Sequence, residues 1–272
     1  MATAPVHSGI KPPYLLDNAW QDARRRLALL ERWLDPGRIH QLHTLGVRAG
    51  WRCLVVGGGG GSITEWLCRQ VGPSGHVVAT DINTRFLEAL DSPNLEVRRH
   101  DILTDDLEPA AFDLVHVRFV LMHLADPSQA VRRMVAALKP GGWLLAEEGD
   151  STSLAPHLAS NSPEGRLFGQ FREACGAALA AAGGNFQYGR QVYADVCGAG
   201  LAEVEAEGRV HVVRGGSPRA HLWRVTLGQL REGLLRVGGL TEQQLEATER
   251  LLDNPEFAFT NLTVWAVRGQ QP

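Results

Sequence analysis

The chain has 272 residues, 44% of them hydrophobic and 21% charged, with a formal net charge of −3, which supplies the core of one large α/β domain or two small ones. The slight negative charge excludes the basic footprint of a nucleic-acid partner, and no segment approaches the ~20 apolar residues of a membrane span. No apolar leader opens the chain, and the cysteines (Cys53, Cys68, Cys175, Cys197) lie too far apart for a metal or redox motif, so buried free thiols in a cytoplasmic protein are expected.

Residues 1–13 read as a disordered tail. Over residues 17–34, Trp20, Leu27, Leu30, Trp33 and Leu34 recur at helical spacing with Arg24, Arg25 and Arg26 between them, and a second helix over 39–45 stops at Gly46. From the residues alone these helices read as packing on a sheet with a solvated arginine face. Residues 53–56 form an apolar strand that breaks into five glycines, Gly57 to Gly61, before the helical pattern of Ile63, Trp66 and Leu67. Strand, glycine turn and helix N-terminus together make a βα turn where an anionic group can approach the main chain. The dinucleotide fingerprint G-x-G-x-x-G does not fit, because its last glycine falls on Ser62, Ile63 or Thr64.

A second apolar strand over 76–81 ends in Asp81, twenty residues past Gly61, where a carboxylate can accept both ribose hydroxyls of an adenosine or cap the next helix. A third strand over 95–99 leads into His100, Asp101 and Ile102, and a fourth, 112–119, carries His116 as a hydrogen-bonded core histidine and Arg118 and Phe119 at its end. After a helix ending near 138, Lys139-Pro140-Gly141-Gly142 turns into a fifth strand over 143–148. Downstream come a helix over 162–182 capped by Ser162, a short helix over 191–197, a strand over 202–213, helices over 217–237 and 241–252, and a last strand over 257–267. Thr241 with Gln244 three residues on reads as a capping box.

The spacing of Gly57, Gly59 and Gly61 after an apolar strand, with Asp81, Asp101 and the turn Leu-Lys-Pro-Gly-Gly (138–142) following in order, resembles the class I S-adenosylmethionine-dependent methyltransferases, small-molecule branch. The resemblance is close over about 46–149 and architectural elsewhere. It implies a Rossmann-like α/β fold: a seven-stranded sheet, its last strand antiparallel, with helical lid segments. One domain would span 1–272, with a lid at about 14–45, a cofactor-binding core at about 46–150 and substrate-cap helices at about 160–182 and 217–253. It further implies S-adenosylmethionine as cofactor, held by Gly57, Gly59, Gly61 and Ile82, with Asp81 at the ribose, Asp101 on the adenine amino group, Ile102 on the ring, and Arg118 and Phe119 bordering the site. One position departs from the family. The acid usually found two residues before the first glycine, which helps hold the cofactor's amino-acid end, is here Val55.

In-line methyl transfer asks mainly for alignment, and for a base only where the acceptor must lose a proton. His123 is the candidate base, with a helix cap or a main-chain hydrogen bond as its structural alternative. Glu147 and Glu148 are second candidates, of which alternation lets one face the cleft. Tyr14, Trp20 and Phe119 are candidate stacking aromatics. No metal site and no Ser-His-Asp elbow is expected. The expected function is methylation of a small organic molecule, a bacterial secondary metabolite. The alternatives are a non-methylating cyclase or other catalyst on this scaffold, which Val55 favours, and a metabolite-binding protein without turnover. Oligomeric state is not legible.

Overall fold

A computed structural model describes residues 15–158 and 161–272, so Tyr14 and the expected tail lie outside the described residues. The apolar runs at 53–56, 77–79 and 114–117 are buried on both faces, as the inner strands of a parallel sheet must be. They belong to β1 (Arg52–Val56), β2 (His76–Asp81) and β4 (Phe112–Arg118). With β3 (Leu95–Arg99), β5 (Leu138–Asp150), β7 (Ala202–Arg209) and β10 (Thr263–Gln270) they form a seven-stranded sheet in the order β3-β2-β1-β4-β5-β10-β7. β10 runs antiparallel to both of its neighbours, as expected of the last strand. The order reverses between β1 and β4, and β1 pairs in parallel with β2 on one side and β4 on the other, which opens a crevice at the carboxyl ends of these strands.

Helices α2 (Ser62–Val71), α3 (Pro127–Ala136) and α5 (Val192–Gly198) flank the sheet, and α1 (Ala23–Thr44), α4 (Pro163–Ala181), α6 (Pro218–Arg236) and α7 (Glu242–Asp253) cover its carboxyl end. The cover has its own apolar cluster, in which Phe168 packs at 4.9 Å from Phe259 and 5.3 Å from Phe257. Ser162 caps α4 through Gly165 N, and Thr241 with Gln244 forms the expected box at α7. A second, three-stranded sheet joins β6 (Ala155–Pro156), β9 (Ala258–Thr260) and β8 (Val212–Arg214).

Three sequence expectations change. The strands over 202–213 and 257–267 each split, because the chain leaves the large sheet for the small one near His211 and Asn261. Buried Asn261 makes the second break: its side-chain oxygen accepts from Trp223 Nε1 and Leu262 N, both at 2.9 Å. The turn at Lys139–Gly142 is absorbed into the irregular start of β5, with Gly141 at φ +75. Lys139 Nζ there meets Asp113 at 2.8 Å.

The third concerns the N-terminal helices, which are one element. Residues 17–22 are turns, and α1 runs from Ala23 to Thr44 through Pro36-Gly37. An internal proline removes one helical hydrogen bond and normally kinks or ends a helix. Here the flanking residues are tied to the sheet: Asp35 pairs with Arg118 at 2.7 Å and Arg38 with Glu147 at 2.9 Å. Gly37 leaves the space that the Arg209 guanidinium fills. Nor is the arginine face wholly solvated, since Arg26 is 6% exposed and Arg24 donates to Gly60 O at 2.7 Å.

Arg38 is fully buried, so Arg38→Met should strand the Glu147 carboxylate and cost about 3–5 kcal/mol. Urea denaturation is the measurement. The double variant Arg38→Met/Glu147→Met should recover most of that loss, because it removes both desolvated charges.

Candidate functional site

The crevice is a cavity of about 350 Å³. Its first half is built by the loops after β1, β2 and β3. Gly57, Gly59 and Gly61 stand at φ +67, +57 and +95, a region L side chains avoid. A Cβ on Gly57 would come within 2.2 Å of Val120 Cγ2, so glycine is also the residue that fits there. Gly57 and Gly59 line the cavity, while Gly61 caps α2 behind them.

Asp81, Ile82, Asp101 and Ile102 line the same half. Asp81 is anchored by Gly59 N and Asn83 N, each at 3.0 Å, and burial raises its pKa despite these amides. Each carboxylate oxygen keeps a second lone-pair site for a ligand hydroxyl. Asp101 accepts from Leu103 N at 3.0 Å, Ile102 is buried, and Ile82 is 45% exposed at the cavity edge. Two carboxylates separated by apolar side chains, beside a glycine turn, form a donor and acceptor set that fits a nucleoside with its hydroxyls and amino group.

The second half is apolar. Leu27, Leu30 and Trp33 from α1, Leu179 from α4, and Trp223 and Leu230 from α6 enclose it. Phe119, at φ +53 just past β4, stands in the wall, and a strained non-glycine backbone in a cleft is typical of sites where geometry matters. Arg118 also lines the cavity, its guanidinium engaged with Asp35. Trp20 does not line it and lies against Gly228 of α6.

His123 lies in the wall, on the short 3-10 turn Leu121–His123. Burial, and then the Arg26 guanidinium, push its pKa down to about 3. It is therefore neutral at pH 7, with a ring of low proton affinity. Glu147 and Glu148, the second candidates, do not line the cavity. Glu147 is committed to Arg38, and Glu148 holds the turn that carries His123 by accepting from Val120 N, Leu121 N and Met122 N at 3.0, 2.8 and 3.2 Å. His116 is buried as expected, yet neither ring nitrogen has a hydrogen-bond partner among the described residues, and burial lowers its pKa well below the ordinary value. Of the cysteines, Cys197 is exposed while the other three are buried.

Val55 is 2% exposed and belongs to the apolar cluster with Leu42, Trp66 and Leu114, whereas its neighbour Val56 lines the cavity. Beside the glycine turn, Glu31 of α1 accepts from Ser62 N at 3.4 Å outside the cavity lining, and burial raises its pKa. Sequence reasoning missed Glu31, Arg26 and the side chains of α4 and α6 in the wall. Helical periodicity marks an inward face without saying what that face meets.

This strand order, with the glycine turn at the switch point and one antiparallel strand, is the class I methyltransferase sheet. A family model described as a methyltransferase domain matches residues 54–144. The ubiquinone/menaquinone biosynthesis C-methyltransferase UbiE of Hahella chejuensis is 39% identical over 111 residues, covering 38% of this chain and 45% of the relative. Its counterpart in Pseudomonas paraeruginosa is 37% identical over 129 residues, 42% of this chain and 50% of that protein. The chain thus spans about half the length of the curated relatives it matches. Among solved structures, phosphoethanolamine N-methyltransferase 2 of Haemonchus contortus with S-adenosyl-L-methionine shares the fold at a TM-score of 0.51 and 17% identity, over 95% of this chain and 55% of that one. The YcgJ protein of Bacillus subtilis does so at 0.52 and 15%, over 84% and 98%. Residues 54–144 thus match a methyltransferase domain, and the chain as a whole carries the class I methyltransferase sheet.

Two outcomes are expected. Val55→Glu should place a carboxylate in the apolar cluster and destabilise by at least about 2 kcal/mol in urea titration. Burial pushes Glu148 from 4.5 up to about 8, so the folded state holds a proton that the unfolded chain has released. Its contribution to stability is complete below the ordinary glutamate pKa and is lost as pH rises through about 8. Between about pH 7 and pH 8.5 the histidines with lowered pKa are neutral in the folded state and mostly neutral in the unfolded chain. Over that interval the melting temperature of the native protein should fall more than that of Glu148→Gln.

Proposed function

We propose that this chain binds S-adenosylmethionine in the glycine-turn half of the cavity and methylates a small, largely apolar organic molecule in the other half. The observation that carries this reading is that one continuous cavity joins Gly57, Gly59, Asp81 and Asp101 to the apolar wall of α1, α4 and α6. When bound, the cofactor supplies an electrophilic methyl on a sulfonium. The residues do the rest: Asp81 accepts the ribose hydroxyls, Asp101 the adenine amino group, Ile82 and Ile102 flank the base, and Phe119 with Arg118 closes the junction between the halves. His123, neutral at pH 7, serves as an orienting hydrogen-bond group or weak proton acceptor at the acceptor side.

The acceptor is a metabolite, and bacterial secondary metabolism remains the context of the proposal. The quinone-pathway role of the UbiE relatives attaches to a match that covers 38% to 42% of this chain, and the family model ends at residue 144, before α4 and α6. Calorimetric titration with S-adenosylmethionine and S-adenosylhomocysteine tests the first half of the reading. Micromolar binding is expected, and Asp81→Asn should weaken it about tenfold or more through the loss of charged hydrogen bonds. Transfer of labelled methyl into a panel of aromatic and polyketide-like acceptors tests the second half. Tight cofactor binding with turnover of an acceptor but no label transfer would move the chain to the non-methylating reading.

A further inference from the structure

A second groove lies at the surface between α1, β8 and the first turn of α6. Trp33 lines this groove and the central cavity alike, so a single indole stands between the two spaces. It leans edge-on against His211, with the ring centroids 6.3 Å apart. Leu29 and Val212 make the groove apolar beside Trp33, and Val212 is 59% exposed, an apolar surface left to water between arginines. The charged lining is cationic throughout: Arg32, Arg214 and Arg219, with no carboxylate among the described residues. Arg214 is engaged by Pro255 O and Glu256, whereas Arg32 and Arg219 have no counter-charge among the described residues.

The charges at the two ends of this path have opposite signs. The glycine-turn half of the cavity presents the carboxylates Asp81 and Asp101, the groove presents guanidinium groups, and an apolar wall lies between. A molecule with an apolar body and an anionic end is thereby held one way round: its body leaves water in the apolar half, and its anion is repelled from the carboxylates and drawn to the arginines. Building on the methyl-transfer reading, we infer that the groove is a subsite for the acceptor, reached when the Trp33 side chain turns aside. The acceptor's body lies in the cavity, and a carboxylate or phosphate at its far end lies at Arg32 and Arg219. The end opposite the anion then faces the methyl donor. Acceptors are selected by the length of apolar body that separates the anion from the atom to be methylated.

The test is binding to the full chain saturated with S-adenosylhomocysteine, using dodecanoate and dodecyl phosphate against neutral dodecanol, each kept below its micelle concentration. At least one anion should bind about three- to tenfold more tightly than the alcohol, as two solvent-accessible ion pairs allow, and the tighter anion identifies the end group. Raising the salt from about 0.05 M to about 0.5 M should shrink that gain. Arg32→Gln/Arg219→Gln should abolish it while the affinities for dodecanol and S-adenosylhomocysteine stay within about twofold. Butyrate, too short to occupy both spaces, should show no such gain over butanol, and Trp33→Ala should speed the association of the long anion several-fold. Equal affinities for anion and alcohol, a gain that survives the double substitution, the same gain with butyrate, or an association rate unchanged in Trp33→Ala overturns the assignment. Failure to bind S-adenosylhomocysteine would instead remove the methyl-transfer reading, and the gain measured without it still decides the role of the groove.

Discussion

Four charges, two buried and two partly so, hold α1 over the sheet. Arg118 on β4 and Glu147 on β5 are register partners across the two strands, and α1 meets them with Asp35 and Arg38, three residues apart on one helical face. Signs alternate around the quartet, so each charge that leaves water finds its opposite. Burying one ion without its partner costs several kcal/mol, which leaves one docking position for the helix. That position carries Leu27, Leu30, Trp33 and Arg26 into the cavity wall and makes the N-terminal helix part of the site. It also accounts for Pro36 inside a continuous helix: the ion pairs on either side of the proline outweigh one missing hydrogen bond.

The cavity is divided by chemistry as well as by chain segment. Its polar half is made by loops whose backbone amides and carboxylates are held by local hydrogen bonds, as where Gly59 N and Asn83 N fix Asp81. Its apolar half is made by helices packed on a separate cluster around Phe168, Trp223 and Phe259. The junction is the segment 118–123, where Phe119 takes a positive φ and Glu148 gathers three consecutive backbone amides. A carboxylate that looked free for chemistry at the end of an apolar strand is thus a brace for the loop that presents His123. Its neighbour Glu147 is equally committed, to Arg38.

This division explains why the matched family segment and the substrate reading separate. Residues 54–144 contain the glycine turn, Asp81 and Asp101, while α4 and α6 lie beyond them and α1 before them. The half that lies within the matched segment is the half built by the glycine turn, Asp81 and Asp101. The other half, enclosed by α1, α4 and α6, is largely apolar and lies outside the matched segment.

Local patterns were enough to read the five parallel strands, the glycine turn, the caps at Ser162 and Thr241, and the carboxylates closing β2 and following β3, because period-2 burial, turn chemistry and capping act over a few residues. They misplaced whatever depends on a partner far along the chain. The two long strands break at His211 and Asn261 because a second sheet and Trp223 compete for them, and no local signal marks that competition. Arg26 read as part of a solvated arginine face and is buried, and Glu147 and Glu148 read as candidate bases and brace Arg38 and the 120–122 turn, because a charged side chain's role is set by the partner that reaches it. Sequence alone therefore determined the parallel scaffold and the residues that line the glycine-turn half of the cavity. Tertiary structure decided the apolar half of the cavity, since only packing fixes which charges stay in water and which must find a counter-charge inside.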